Sequence, residues 1–134
     1  MAADIRTVTG SFSTAPQLRP EDMDEAAARG FVLVINNRPD GEAPGQPTSL
    51  EMAQAARAAG LEYLYVPVRG GPGPSEVELV REAVAGADGP VLAFCRSGTR
   101  SIVTWARGRA EEGMPRDELL LLGREAGYDL SGAL

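Results

Sequence analysis

Apolar residues in this chain fall into short unbroken runs separated by stretches in which they recur every three or four positions. Phe31-Val32-Leu33-Val34-Ile35 and Val91-Leu92-Ala93-Phe94 are continuous runs, the pattern of strands buried on both faces. Leu61 to Val68 reads as another strand, with Pro67 near its end, and Ile5 to Val8 with Ser11 to Ser13 as a short hairpin at a sheet edge. The intervening stretches read as helices. One opens at Pro20, with Glu21, Asp22 and Asp24 in its first turn, Met23, Ala26 and Ala27 on its apolar face and Gly30 as its stop. Thr48 and Glu51 form a capping box for a helix that runs to Ala59 and is closed by Gly60. Ser75 and Glu78 read as a second box, with Val77, Val80 and Val84 on one face of the helix that follows. Ile102 to Glu112 is a further helix, and Met114-Pro115 begins the last, with Leu119, Leu122 and Ala126 on one side.

Strands alternating with helices predict an α/β fold, a central mainly parallel sheet flanked by helices. Sites in such sheets lie beyond the carboxyl ends of the strands. Three ends, Asn36 to Asp40, Val68 to Gly71 and Cys95 to Arg100, are therefore expected to meet at one rim. No repeat, linker or low-complexity stretch divides the chain, so residues 1–134 are expected to form a single domain.

Composition narrows the function. No apolar stretch approaches the roughly 20 residues of a membrane span, and Met1 to Thr9 lacks a signal-peptide core. A soluble, cytoplasmic protein with no membrane partner is expected. The net charge of -6 argues against a nucleic-acid partner, which needs a basic face, but leaves room for a small anionic substrate at a locally positive site. The 13 cationic residues are all arginine. With no histidine, Ser-His-Asp triads, Cys-His dyads and histidine-ligated zinc are excluded. No cofactor or metal is expected. Cys95 is the only cysteine and has no resolving thiol.

That cysteine opens the segment Cys95-Arg96-Ser97-Gly98-Thr99-Arg100-Ser101, between a buried strand and a helix. Loop N–H groups and a helix N-terminus converge in such a segment, and their partial positive charge favours both an oxyanion and a thiolate. Arg100 follows at the distance that lets its guanidinium fork grip two oxygens. Cys95 is thus the candidate nucleophile and Arg100 the candidate oxyanion clamp. Arg96, Ser97, Gly98, Thr99 and Ser101 are candidates for binding the anion. Each also has an ordinary reading. Cys95 can be a small core residue, Arg100 and Arg96 surface ion-pair partners, Gly98 a strain-relieving glycine, and the hydroxyls turn or cap residues. Trp105 is expected in the core beside Ile102.

Four motifs carry a family resemblance: the cysteine segment; Pro16-Gln17-Leu18 with Glu21-Asp22; Asn37-Arg38-Pro39-Asp40 with Glu42 and Gln46-Pro47; and Glu112-Gly113-Met114-Pro115 with Asp117-Glu118. In this order they resemble the bacterial phosphatase-like domain of beta-lactamase-hydrolase-like proteins, a family similar to the dual-specificity and tyrosine phosphatases. The resemblance implies a compact phosphatase-type α/β fold, with Cys95 as nucleophile and Arg100 as the arginine gripping the oxyanion. The expected partner is a small anionic substrate, a phosphate ester or a sulfur compound, with a phosphoprotein as a further candidate. In multidomain relatives such a domain accompanies a metallo-β-lactamase-like domain linked to sulfur metabolism. The sequence departs from the pattern in three places. Phe94 stands where tyrosine phosphatases have histidine. Four residues rather than five separate cysteine from arginine, the C-x4-R length of rhodanese-type sulfurtransferase loops. The loop Arg69 to Pro74, where the general acid usually lies, holds no carboxylate. Asp40, or Glu42, is the candidate replacement, although an Arg-Pro-Asp-Gly turn has its own use for an aspartate. Sulfur transfer through a cysteine persulfide, and phosphate or sulfate binding without turnover, therefore stand as alternatives.

Overall fold

In the structure, a computed structural model that describes residues 2–134, five strands form one sheet. They are β1 (Arg6–Thr7), β2 (Phe12–Ala15), β3 (Leu33–Asn36), β4 (Glu62–Tyr65) and β5 (Val91–Phe94), in the order β1-β2-β5-β3-β4. β5 is central and runs parallel to β2 and to β3, β3 runs parallel to β4, and only β1 is antiparallel. Five helices complete the described residues: α1 (Asp22–Ala28), α2 (Ser49–Ala58), α3 (Pro74–Gly86), α4 (Thr99–Glu111) and α5 (Arg116–Glu125).

Side-chain alternation sorts the core into two layers. Leu33, Ile35, Val91 and Ala93 face one way and pack with Val80, Ile102, Trp105 and Leu119 from α3, α4 and α5. Val34, Leu92 and Phe94 face the other way and meet Met23, Ala26, Met52 and Ala56 from α1 and α2. A strand with both faces buried is apolar throughout, which is why β5 and most of β3 are legible as unbroken runs.

Several boundaries move from where the pattern put them. The hairpin lies at the sheet edge, but β2 itself is fully buried between β1 and β5. Its polar Ser13 and Thr14 mask a strand that tertiary pairing makes central. β4 is shorter than the stretch from Leu61 to Val68 and forms the opposite edge, with Glu62 exposed. α1 starts at Asp22, after Pro20. α3 begins a turn's start earlier than the Ser75 box implies: Pro74 takes the first helical position, and Glu76 Oε1 accepts the Gly73 N–H at 2.9 Å. The Thr48–Glu51 box forms at the start of α2 as expected. α4 starts at Thr99, so Arg100 and Ser101 belong to its first turn.

Candidate active site

The cysteine segment links the centre of the sheet to α4. Cys95 follows β5 and is fully buried. Gly98 is the N-cap of α4, with a φ of +93° that side-chain-bearing residues avoid. This lets the chain turn back, and the Gly98 N–H donates to Cys95 Sγ at 3.1 Å. No acid occupies the first turn of α4, its N-cap glycine has no side chain to bond it, and the Thr99 N–H meets only the Ser97 hydroxyl, at 3.4 Å. Its leading N–H groups and the positive end of its dipole therefore lack a built-in anion.

Three successive carbonyls of the loop are held by other parts of the chain. Arg96 O accepts the Gln17 N–H at 3.2 Å. Ser97 O accepts the Tyr128 hydroxyl at 2.9 Å. Gly98 O accepts the Thr14 hydroxyl at 3.1 Å and the Ile102 N–H at 3.1 Å. In a planar trans peptide the N–H points opposite to the carbonyl. Fixing these oxygens turns the N–H groups of Ser97, Gly98 and Thr99 away from those partners; that of Gly98 reaches Cys95 Sγ and that of Thr99 reaches Ser97 Oγ at 3.4 Å.

Arg100 reaches the neighbouring strand ends. Its Nη1 donates to Glu42 Oε2 and to Val68 O, both at 2.8 Å, and its Nη2 to Glu42 Oε1 at 2.8 Å. Arg38, almost wholly buried, donates from Nε to Glu42 Oε1 at 3.0 Å and from Nη1 to Gln17 Oε1 at 3.1 Å. The Arg100 guanidinium above all, and that of Arg38, hold the Glu42 carboxyl at about 2, below the ordinary 4.5. Arg100 is raised, chiefly by its bond to Glu42. Asn37, fully buried, ties the rim together: its side-chain amide donates to Val66 O at 2.9 Å and its Oδ1 accepts the Ser101 hydroxyl at 2.7 Å.

The strand ends beginning at Asn36, Val68 and Cys95 are thus joined at one rim by direct bonds. Around Cys95, Ser97 Oγ donates to Thr99 Oγ1 at 3.0 Å, and both residues are exposed. Arg96 is exposed, with no ion pair among the described residues. The Ser101 hydroxyl, a candidate for anion binding, donates to Asn37 Oδ1. Asp40 Oδ1 accepts the Ser49 N–H at 2.8 Å, at the start of α2, and its side chain makes no hydrogen bond to the cysteine loop among the described residues. Thr14 and Tyr128, whose hydroxyls hold the loop, are not among the residues the sequence points to. Neither is near the loop in sequence, and nothing in their surroundings marks them.

A buried central strand, a cysteine loop and an arginine in the next helix define the fold class of the cysteine-dependent, phosphatase-type hydrolases. A candidate phosphatase from Neisseria meningitidis Z2491 is similar over 96% of this chain and 92% of its own, at 34% identity and a TM-score of 0.86. Kinase-associated phosphatase, solved with its catalytic cysteine replaced by serine, shares the fold at a TM-score of 0.77, covering 95% of this chain and 85% of its own at 14% identity. Residues 4–112 match the model of the phosphatase-like domain of beta-lactamase hydrolase-like protein, and the chain belongs to that family. The beta-lactamase hydrolase-like protein of Xylella fastidiosa strain Temecula1 is 42% identical over 97% of this chain, which spans about a third (31%) of that relative's length. No helix among the described residues is long and apolar enough to cross a membrane.

Proposed function

We propose that this domain is a cysteine-dependent phosphatase acting on small anionic phosphate esters. The observation that carries this reading is the Gly98 N–H on Cys95 Sγ at the uncapped start of α4, with Arg100 in the same turn. A thiolate is stabilised by such donors, and the same donors suit the equatorial oxygens of a phosphoryl group. Cys95 Sγ attacks phosphorus, the ester P–O bond breaks, and the leaving oxygen departs with the bonding pair. Water then cleaves the S–P bond of the thiophosphoryl intermediate, releasing phosphate and restoring the thiolate.

Proton supply decides the substrate. Glu42 is held ionised by Arg100 and Arg38, so at neutral pH it has no proton to give. One Asp40 oxygen is engaged by α2. General acids contribute typically about 10²–10⁴-fold, so the reading favours aryl phosphates, whose leaving groups depart unprotonated, over alkyl phosphates. The same commitments favour sulfur transfer as a second reading. There Cys95 takes the outer sulfur of thiosulfate, sulfite leaves, and the persulfide sulfur passes to a nucleophile such as cyanide.

The test is p-nitrophenyl phosphate turnover beside thiosulfate-dependent thiocyanate formation, with intact-mass analysis of trapped Cys95. Cys95→Ser is expected to lower phosphate release on the order of 10³-fold or more. A +80 phosphoryl adduct supports the first reading and a +32 sulfur adduct the second (~80 and ~32 Da). Tight phosphate binding that survives Cys95→Ser, with neither activity, would sink both and leave a binding module.

A further inference from the structure

We propose that Tyr128 is a positioning residue of the Cys95 loop, holding one peptide group so that its N–H stays on the cysteine sulfur. This rests on the reading of the loop as an anion cradle, and goes beyond it by assigning a role to a residue outside the cysteine motif. The Tyr128 hydroxyl donates to Ser97 O at 2.9 Å, and the N–H of the same peptide belongs to Gly98 and donates to Cys95 Sγ at 3.1 Å. Hydroxyl, peptide and sulfur form one chain of donors and acceptors. A carbonyl that accepts a strong bond polarises its own N–H, so the hydroxyl strengthens the bond to sulfur as well as orienting it.

The surroundings keep the tyrosine in place and protonated. Tyr128 is only 8% exposed and packs in the layer with Ile102 and Trp105. The Arg6 guanidinium lies over its ring, 5.1 Å from the centroid, and bonds to Ala126 O. Burial above all raises the Tyr128 hydroxyl, opposed by Arg6, so it remains a donor at neutral pH. The fit on the loop is close. A Cβ at position 98 would collide with Tyr128 Oη and approach the Ala15 backbone. Ser97 O has no second donor among the described residues, whereas the next carbonyl, Gly98 O, has both Thr14 and Ile102. Tyr128 therefore supplies the one donor to Ser97 O among the described residues, on the peptide whose N–H meets the sulfur.

The experiment reads anion binding without requiring turnover. Cys95 is the only thiol, so intact-mass analysis follows its alkylation by iodoacetamide, and added orthovanadate or orthophosphate protects it. For Tyr128→Phe, which keeps the ring, the concentration for half-protection is expected to rise roughly tenfold, the factor given by one hydrogen bond of about 1.4 kcal/mol. kcat/KM for p-nitrophenyl phosphate is expected to fall in step, with the thermal midpoint nearly unchanged. Thr14→Val is expected to have a smaller effect, because Gly98 O keeps its Ile102 N–H. A 4-aminophenylalanine at position 128 restores a donor and should restore protection. Half-protection unchanged in Tyr128→Phe, an effect of Thr14→Val as large or larger, or no protection of the unaltered protein would each overturn the proposal. Protection that responds to Tyr128→Phe in a protein without phosphatase activity would instead retain this role and discard the phosphatase reading.

Discussion

The starts of α2 and α4 solve the same problem in opposite ways. Every helix begins with N–H groups that have no partner within it and with the positive end of its dipole. At α2 the chain supplies the anions. Thr48 Oγ1 accepts the Glu51 N–H, Glu51 Oε1 accepts the Thr48 N–H, and Asp40 Oδ1 accepts the Ser49 N–H. At α4 a glycine stands at the cap, the first turn has no acid, and Arg100 adds positive charge. α1, α3 and α5 each carry acids in their first turns, as α2 does. At α2 the acids bond the leading N–H groups themselves, whereas at α4 the nearest acid, Glu42, bonds the Arg100 side chain instead. The difference is visible in seven letters, Thr-x-x-Glu against Gly-Thr-Arg.

The largest expected effect comes from making α4 resemble α2. Thr99→Asp places a carboxylate in the uncapped turn, where it competes with an incoming oxyanion. Orthophosphate affinity, read by protection of Cys95 from alkylation, should fall by about tenfold to a hundredfold. Stability should be unchanged or rise by about 0.5 kcal/mol. Unchanged affinity would mean that the first turn of α4 is not where the anion binds.

A second change tests the acid facing α4. Glu42 sits at about 2 in the folded protein and near 4.5 otherwise, lowered by Arg100 first and then by Arg38. Between those values the unfolded chain binds more protons, so the stabilisation is complete above about pH 5 and is lost as pH falls toward 2. Glu42→Gln should lower stability at pH 7 by about 1 kcal/mol, given the partial exposure of the pair. The difference between the two proteins, followed by chemical denaturation, should shrink through that acidic window. The smallest effect is expected at α2 itself: Thr48→Ala, at an exposed cap, should cost about 0.5 kcal/mol in denaturant unfolding and leave Cys95 protection as it was.

What could be read from the sequence follows how local each signal is. β5, the cysteine loop and α4 are contiguous, so the buried run, the glycine and the arginine are all legible in one stretch. The capping box of α2 spans four residues and reads equally well. The hairpin was legible, but the interior place of β2 was not, because its polar Ser13 reads as exposed and only pairing with β5, more than seventy residues away, buries it. Glu42 could be named as a candidate acid, but its true partner, Arg100, lies on another element, and that pairing holds it ionised. The loop carbonyls of Arg96, Ser97 and Gly98 are met by residues at positions 17, 128 and 14. No periodicity or motif links such distant positions, so the partners of the cysteine loop emerge only from the fold.

Trp105 gives the molecule an optical reporter of its own. It is the only tryptophan, 3% exposed, and its indole stacks on Phe12 with ring centres 5.0 Å apart. It lies on α4 five residues beyond Arg100, about 7.5 Å along the helix axis. Its fluorescence therefore reports on the contact between the helix that follows the cysteine loop and the strand carrying Thr14. Emission will shift to the red when that contact opens to water, without any attached dye.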